Sequence, residues 1–263
     1  MVRIPKGKYK IKKKNSILQN RLFWSLVLAV AALGAISWLA FFSPFLQITT
    51  VSVSGNEKIT ATEIQDLVWP QVEKSFSLGV KSRSLLLVNP ASIRVRLLER
   101  FPSIDELTVK RILPQSLTIE IKERKATGLW CWETRCFALD KKGVIFEEAA
   151  ENQASLVVKS KQPNGEIALG KKVIEEKTLA KILSVQQTLS QKAKIEAREF
   201  TLFENDQRLN AQTSENWEAF FDLKGDVNWQ LVELELVLEK ELPTEKRVGL
   251  EYVDLRFSKV YYK

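Results

Sequence analysis

Residues 22–42, LFWSLVLAVAALGAISWLAFF, run for 21 positions without a charged side chain. As a helix rising 1.5 Å per residue, the stretch reaches roughly 31 Å, about one bilayer hydrocarbon core. No other feature constrains the chain so strongly. Backbone polar groups in lipid must be satisfied within the segment, and a lone segment achieves that only as a helix. Trp24 and Trp38 stand toward its two ends, where indole rings anchor a span at the interface. A signal peptide has a shorter apolar run, roughly 7–15 residues, and leaves through small residues at a cleavage site. This segment leaves through Phe41, Phe42, Ser43 and Pro44. A buried core helix would not be apolar on every face beside a strongly basic flank. The expectation is one transmembrane helix over 22–42, stopped by Pro44.

The charge distribution agrees with that reading. Arg3, Lys6, Lys8, Lys10, Lys12, Lys13, Lys14 and Arg21 give residues 1–21 eight positive charges and no acid. The net charge is +8, so the 32 basic residues that remain match the 32 acidic ones over 43–263. A nucleic-acid binder carries its excess on the folded domain, and here the whole excess flanks the span, so no nucleic-acid partner is expected. The positive-inside rule places 1–21 in the cytoplasm and 43–263 outside it. The basic tail can also touch anionic lipid.

The chain contains no histidine. That removes the Ser-His-Asp triad, the Cys-His dyad and HExxH zinc sites. No serine has lysine three residues later, although a Ser/Lys dyad assembled by folding stays open. GEIALGKK, residues 165–172, approaches a phosphate-loop pattern, but Lys172 replaces the hydroxyl residue that holds Mg²⁺. The acidic pairs Glu147-Glu148 and Glu175-Glu176 read as solvated surface. The expectation is no catalytic residue, no metal and no cofactor. The alternative class is a membrane-anchored envelope enzyme, a Ser/Lys protease or a cell-wall hydrolase.

Beyond the span the order is strand, two helices, two strands. FLQITTVSVSG alternates at Ile48, Val51 and Val53 and turns at Gly55-Asn56. TATEIQDLVWP reads as a short helix with Thr60 and Glu63 as a capping box and Pro70 as its stop. SLLLVN reads as a short extended piece. Pro90 opens ASIRVRLLERF, with Ile93, Leu97, Leu98 and Phe101 on one face. IDELTVKRIL and SLTIEIKER form a hairpin through Pro114-Gln115. The fold class is α+β. A small β-α-α-β-β module over 45–123 precedes a larger mixed β-domain over 124–263, with an antiparallel meander and two helices. In the larger part VIEEKTLAKILSVQQTLSQK and NWQLVELELVLEKEL read as helices. ATGLWCW, CFALD, VIFEE, SLVVK, IEAREFTLFE, RLNAQT and EAFFDLK read as strands.

CWETRC places Cys131 and Cys136 across a hairpin. With Glu133-Thr134 as a two-residue loop, the two cysteines face each other in a non-hydrogen-bonded pair with Cα atoms about 4.5 Å apart. The spacing favours a structural disulfide over free thiols or a redox pair, in a compartment where disulfides persist. The last stretch, EYVDLRFSKVYYK, alternates Val253, Leu255 and Phe257 against Asp254, Arg256 and Ser258. Val260 and Tyr262 fall on the other parity, which predicts a bulge near Ser258–Lys259. Such a strand at a sheet edge offers unpaired N–H and C=O groups.

Taken together these segments resemble the FtsQ/DivIB family of bacterial cell-division proteins. The likeness rests on the basic tail and single span, VSVSGNEKIT opening a POTRA-type module, FPSIDELTVKRILPQSLTIEIKER closing it, ALDKKGVIF as an LDxxGxVF-like hairpin, and YVDLRFSKVYYK as the terminal DLR strand. Ala126 stands where the family often has proline. The resemblance implies a non-enzymatic divisome scaffold in the cytoplasmic membrane at the septum. It implies FtsB-like and FtsL-like bitopic partners, with further division proteins meeting the POTRA-type module. It also implies strand addition at the terminal edge. Tyr252, Asp254, Arg256 and Ser258 would flank the partner, while Val253, Leu255 and Phe257 face the core.

Overall fold

The computed structural model describes residues 21–75, 81–151, 154–163, 165 and 167–263. The basic tail over 1–20 lies outside the described residues. A single helix, α1 (Arg21–Phe42), covers the apolar stretch and is long and apolar enough to cross a membrane, with none of it buried against the rest of the chain. Ser82 and Ser84 donate their hydroxyls to the carbonyls of Phe41 and Ala40, which the last turn of a helix leaves without an intrahelical donor.

The chain then runs through β1 (Thr50–Ser54), α2 (Ala61–Val72), β2 (Lys74–Ser75), β3 (Lys81–Ser82), α3 (Pro90–Arg100), β4 (Ile104–Ile112) and β5 (Ser116–Glu123). The main sheet here has the order β1-β5-β4. Its central strand buries Leu117, Ile119 and Ile121, the set that alternates in the sequence. Ile64, Val68 and Val72 of α2, spaced four apart, and Ile93 and Leu97 of α3 are also buried. Asn89 caps α3 by accepting from the Ala91 N–H, with Pro90 at the first helical position, where its missing N–H costs nothing. Two readings are corrected. Pro70 does not stop α2, which continues to Val72, because proline in the last turn forfeits only one bond. SLLLVN contains a turn rather than an extended piece.

The second part consists of β6 (Ala126–Trp132), β7 (Arg135–Asp140), β8 (Ile145–Glu148), β9 (Val157–Ser160), α4 (Glu176–Thr188), β10 (Ala197–Phe203), β11 (Arg208–Thr213), β12 (Glu218–Asp222), α5 (Val227–Lys240), β13 (Tyr252–Asp254) and β14 (Tyr261–Tyr262). All its strands join one sheet, β14-β13-β12-β11-β10-β9-β6-β7-β8. The meander β10-β11-β12 is antiparallel, as the spacing predicts. The parallel pairs β6-β9, β9-β10 and β12-β13 are not visible in the sequence pattern. Parallel neighbours need a long crossover, and α4 carries the chain from β9 to β10 while α5 carries it from β12 to β13. Asp226 caps α5 by accepting from the N–H groups of Asn228 and Trp229. Both helices cover one face of the sheet, where Trp130, Phe200, Leu209, Phe221 and Val253 share a core with Ile182, Val185, Leu231 and Leu234. The other face carries a smaller apolar patch around Leu129, Cys131, Ala138, Phe146 and Val157.

By packing, the chain divides into two units. Of the described residues, one unit holds those up to Val53 with those of Ala61–Ile93 and Val109–Ile119; the other holds those of Ser54–Thr60, Arg94–Thr108 and Glu120–Lys263. The cut crosses α3, β4 and β5. Glu123 holds the turn after β1. Its carboxylate accepts from the N–H groups of Glu57, Lys58 and Ile59 at 2.7–3.0 Å, which ties the turn after β1 to the end of β5.

Candidate functional site

The last two strands build the site. β13 pairs in parallel with β12, with Tyr252 beside Glu218, Val253 beside Ala219 and Asp254 beside Phe220. Its outward side pairs antiparallel with β14, with Val253 opposite Tyr262 and Asp254 opposite Tyr261. The expectation of a free edge strand over Tyr252–Ser258 is therefore corrected: the strand stops at Asp254, the chain reverses over residues 255–260, and β14 covers it. The parity shift at Val260 marks this reversal rather than a bulge. Val253 and Leu255 point into the core at 0% and 1% exposure, but Phe257 lies in the reversal and is 56% exposed. Asp254, placed at the partner surface by the family resemblance, is buried at 6%.

The reversal has an identifiable cause. Asp254 Oδ1 accepts from the Arg256 backbone N–H and from Nε at 3.1 and 2.8 Å, while Oδ2 accepts from Nη2 at 2.6 Å. This two-pronged pairing with the chain two residues on is an Asx-type turn strengthened by charge. Burial alone would raise the Asp254 carboxyl. The hydrogen bonds and charge of Arg256, with Arg208 nearby, outweigh it and hold the group below its ordinary value of 3.8. The Arg256 guanidinium is raised in turn, chiefly by its hydrogen bond to Asp254.

Residues paired across a sheet share a face, so Tyr252, Asp254 and Phe220 look away from α4 and α5. Tyr252 stacks on Phe220 with centroids 5.6 Å apart. Arg256 lies 5.5 Å over Phe220 and 5.4 Å over Phe257, and Phe257 meets Tyr261 edge-on at 5.9 Å. The result is an aromatic row gripping one arginine, the residue types that dominate binding hot spots. Ser258 follows it, exposed in the reversal.

Few contacts hold β14. Tyr262 donates its hydroxyl to Glu241 Oε2 at 3.0 Å, and Lys263 pairs with Glu251 at 2.9 Å. The Lys263 carbonyl accepts from the Glu251 and Tyr252 N–H groups, and its own N–H donates to the Tyr252 carbonyl. The opposite edge of the sheet, β8, is covered differently. Gly170 donates to the Ile145 carbonyl, Ile145 to the Lys171 carbonyl and Val173 to the Gly143 carbonyl. Gly143 has φ +80°, and a Cβ there would fall 1.8 Å from the Ile174 carbonyl oxygen. Residues 170–173 thus pair along the start of the β8 edge, and Lys172 forms a bridge with Val144 before α4 begins.

Cys131 and Cys136 stand opposite in the β6–β7 register, with Trp132 and Arg135 as the last pair and Glu133 in the left-handed region at φ 54°. They form a disulfide with Cα atoms 4.1 Å apart. A partly buried ion cluster has no local pattern in the sequence. Arg124 reaches Asp140 at 2.5 Å, Asp105 at 3.3 Å and the Pro102 carbonyl at 3.1 Å, and Lys142 reaches Asp105 at 2.5 Å. The only signal was that Arg124 and Asp140 each sit at the end of a patterned strand. Among the described residues no group of three metal-ligating side chains comes together.

Residues 46–124 match the family model of the POTRA domain, FtsQ-type. The chain is similar to proteins named cell division protein FtsQ. It is 23% identical over 103 residues to that of Agrobacterium fabrum, covering 39% of this chain and 29% of the relative. With that of Streptomyces bingchenggensis it shares 23% over 138 residues, 52% of this chain and 49% of the relative. With that of Streptomyces coelicolor it shares 26% over 129 residues, 48% and 46%. The alignments thus span about half or less of these relatives' lengths.

Proposed function

This chain belongs to the FtsQ/DivIB family, and we propose that it acts as a non-enzymatic, membrane-anchored scaffold of the bacterial division machinery. The observation that carries the reading is an FtsQ-type POTRA match at 46–124 directly behind a membrane-length helix at Arg21–Phe42. In this reading the basic tail stays in the cytoplasm and everything after residue 42 stands outside the cytoplasmic membrane, at the septum. An extracytoplasmic location is also compatible with the Cys131–Cys136 disulfide.

The partners would be FtsB-like and FtsL-like bitopic proteins, captured as an added strand at the β13–β14 edge, with other division proteins meeting the POTRA-type domain. Backbone bonds in such an addition gain about 0.5–1.5 kcal/mol each, so a short strand reaches roughly micromolar affinity when side-chain pockets contribute. The aromatic row of Phe220, Tyr252 and Phe257 around Arg256 supplies those pockets. Partners anchored in one membrane meet at high effective concentration, so modest affinity suffices.

The test is a photo-crosslinking amino acid placed at Ser258 or Phe257 of the full chain in its host. Crosslinks to two bitopic coiled-coil proteins required for division are expected. Crosslinks to such proteins from POTRA-type positions but from neither edge position would remove the edge from this reading.

A further inference from the structure

The segment that covers β13 is itself a strand with a defined chemistry. Resting on the strand-capture reading above, we propose that β14 is an internal stand-in for the partner strand, occupying the outward side of β13 and leaving when another strand pairs there. A partner that follows the same pattern presents an antiparallel segment with two adjacent aromatic residues followed by a cation.

Four observations support this. First, β14 makes two register pairs with β13 and one more hydrogen-bonded pair at Tyr252–Lys263, against five pairs between β12 and β11, so it is held by a short ladder. Second, its side chains are held on the surface. Tyr261 and Tyr262 are both exposed, and the Lys263–Glu251 pair lies in solvent, where an ion pair holds little. Third, the edge beneath keeps its shape by bonds that do not involve β14. The Asp254–Arg256 clamp, the Leu255 N–H donated to the Phe220 carbonyl and the Phe220–Tyr252 stack all lie within β12, β13 and the reversal. Fourth, the start of the opposite edge is held differently, by residues 170–173 bonded to Gly143 and Ile145 with the Ile174 carbonyl close against Gly143.

The contacts of β14 read as a template for an incoming strand. At the Tyr261 position an aromatic ring meets Phe257 on the uncovered face. At the Tyr262 position a ring with a hydroxyl reaches Glu241 beyond the end of α5. At the Lys263 position a cation meets Glu251. Glu241 and Glu251 give this edge a negative rim, which selects a basic, aromatic strand over an acidic one.

The test uses the full chain in detergent micelles and a fluorescent synthetic peptide of sequence SKVYYK. It compares the parent with two variants, one stopped after Ser258 and one carrying Tyr261→Pro, which removes a backbone donor from β14 without shortening the chain. Amide exchange in β10–β12 reports that the sheet remains folded. At least tenfold tighter binding to both variants than to the parent is expected, with a further tenfold loss when both peptide tyrosines become serine. Equal binding to parent and variants overturns the proposal, as does failure to bind any of them. The host crosslink from Phe257 then separates this idea from the reading it rests on. If Tyr261→Pro leaves that crosslink to the bitopic partners unchanged, β14 is no competitor but strand capture stands; if the parent gives no crosslink at all, strand capture itself fails.

Discussion

Replacing Asp254 with alanine should loosen the reversal that shapes the sheet edge while leaving the core intact. Asp254 makes three bonds to Arg256, two of them from the guanidinium. A charge-assisted hydrogen bond contributes about 1.5–3 kcal/mol. The Arg256 side chain is 29% exposed, so water replaces part of what is lost, and the net local cost falls to about 1–2 kcal/mol. At about 1.4 kcal/mol per tenfold, amides over 252–258 should exchange about 5–30 times faster, with those of β10 and β11 unchanged. Asp254→Asn should fall between, because it keeps the shape and loses the charge. The pH dependence has a definite sign. The folded carboxyl titrates below its ordinary value of 3.8, so its contribution is complete above that value and is lost as pH falls through the lower, folded one. The variant and parent should therefore converge in acid, below about pH 4. Hydrogen exchange read by mass spectrometry on the full chain measures both effects. Unchanged exchange over 252–258 in Asp254→Ala, or a difference from the parent that grows in acid, would refute the clamp.

Three further outcomes are expected. Gly143→Ala places a methyl against the Ile174 carbonyl at a positive φ, and should cost about 3 kcal/mol or more, seen as a melting temperature lower by roughly 6–12 °C. Glu123→Gln turns one acceptor oxygen toward N–H groups as a competing donor. It should cost about 1–3 kcal/mol, read as faster exchange at Glu57, Lys58 and Ile59. In the parent, burial opposes the ionised Glu123, but the three backbone donors outweigh it and lower the group from 4.5, so this protection should weaken only in acid. Replacing Cys131 and Cys136 together by serine removes a cross-link of sequence separation 5, which should cost about 2 kcal/mol or less in urea unfolding.

Much of the fold was legible because each buried face repeats in the sequence. Leu117, Ile119 and Ile121 mark a strand by alternation, and Ile64, Val68 and Val72 mark a helix by their spacing of four. The two later helices were readable for the same reason, and the span by its length without a charge. Strand partnership was not, because a strand buried on one face looks alike whether its neighbour is parallel or antiparallel. Hence β9, which pairs in parallel on both sides, could be recognised as a strand but not placed. The site was half legible. Val253 and Leu255 point inward as their alternation predicts, but the pattern cannot show that Asp254 folds the chain back two residues later, which leaves Phe257 exposed. Two tyrosines at 261 and 262 likewise carry no mark of which strand they will cover. The ion cluster at Arg124 draws on residues 102, 105, 140 and 142, too far apart for a local pattern to connect.

Depletion of this protein from its host tests the central claim most directly. A division scaffold predicts long filaments that replicate and segregate their DNA yet form no septa, with rescue by the full chain and none by a chain lacking α1. Cells that continue to divide at normal length after depletion would contradict the account.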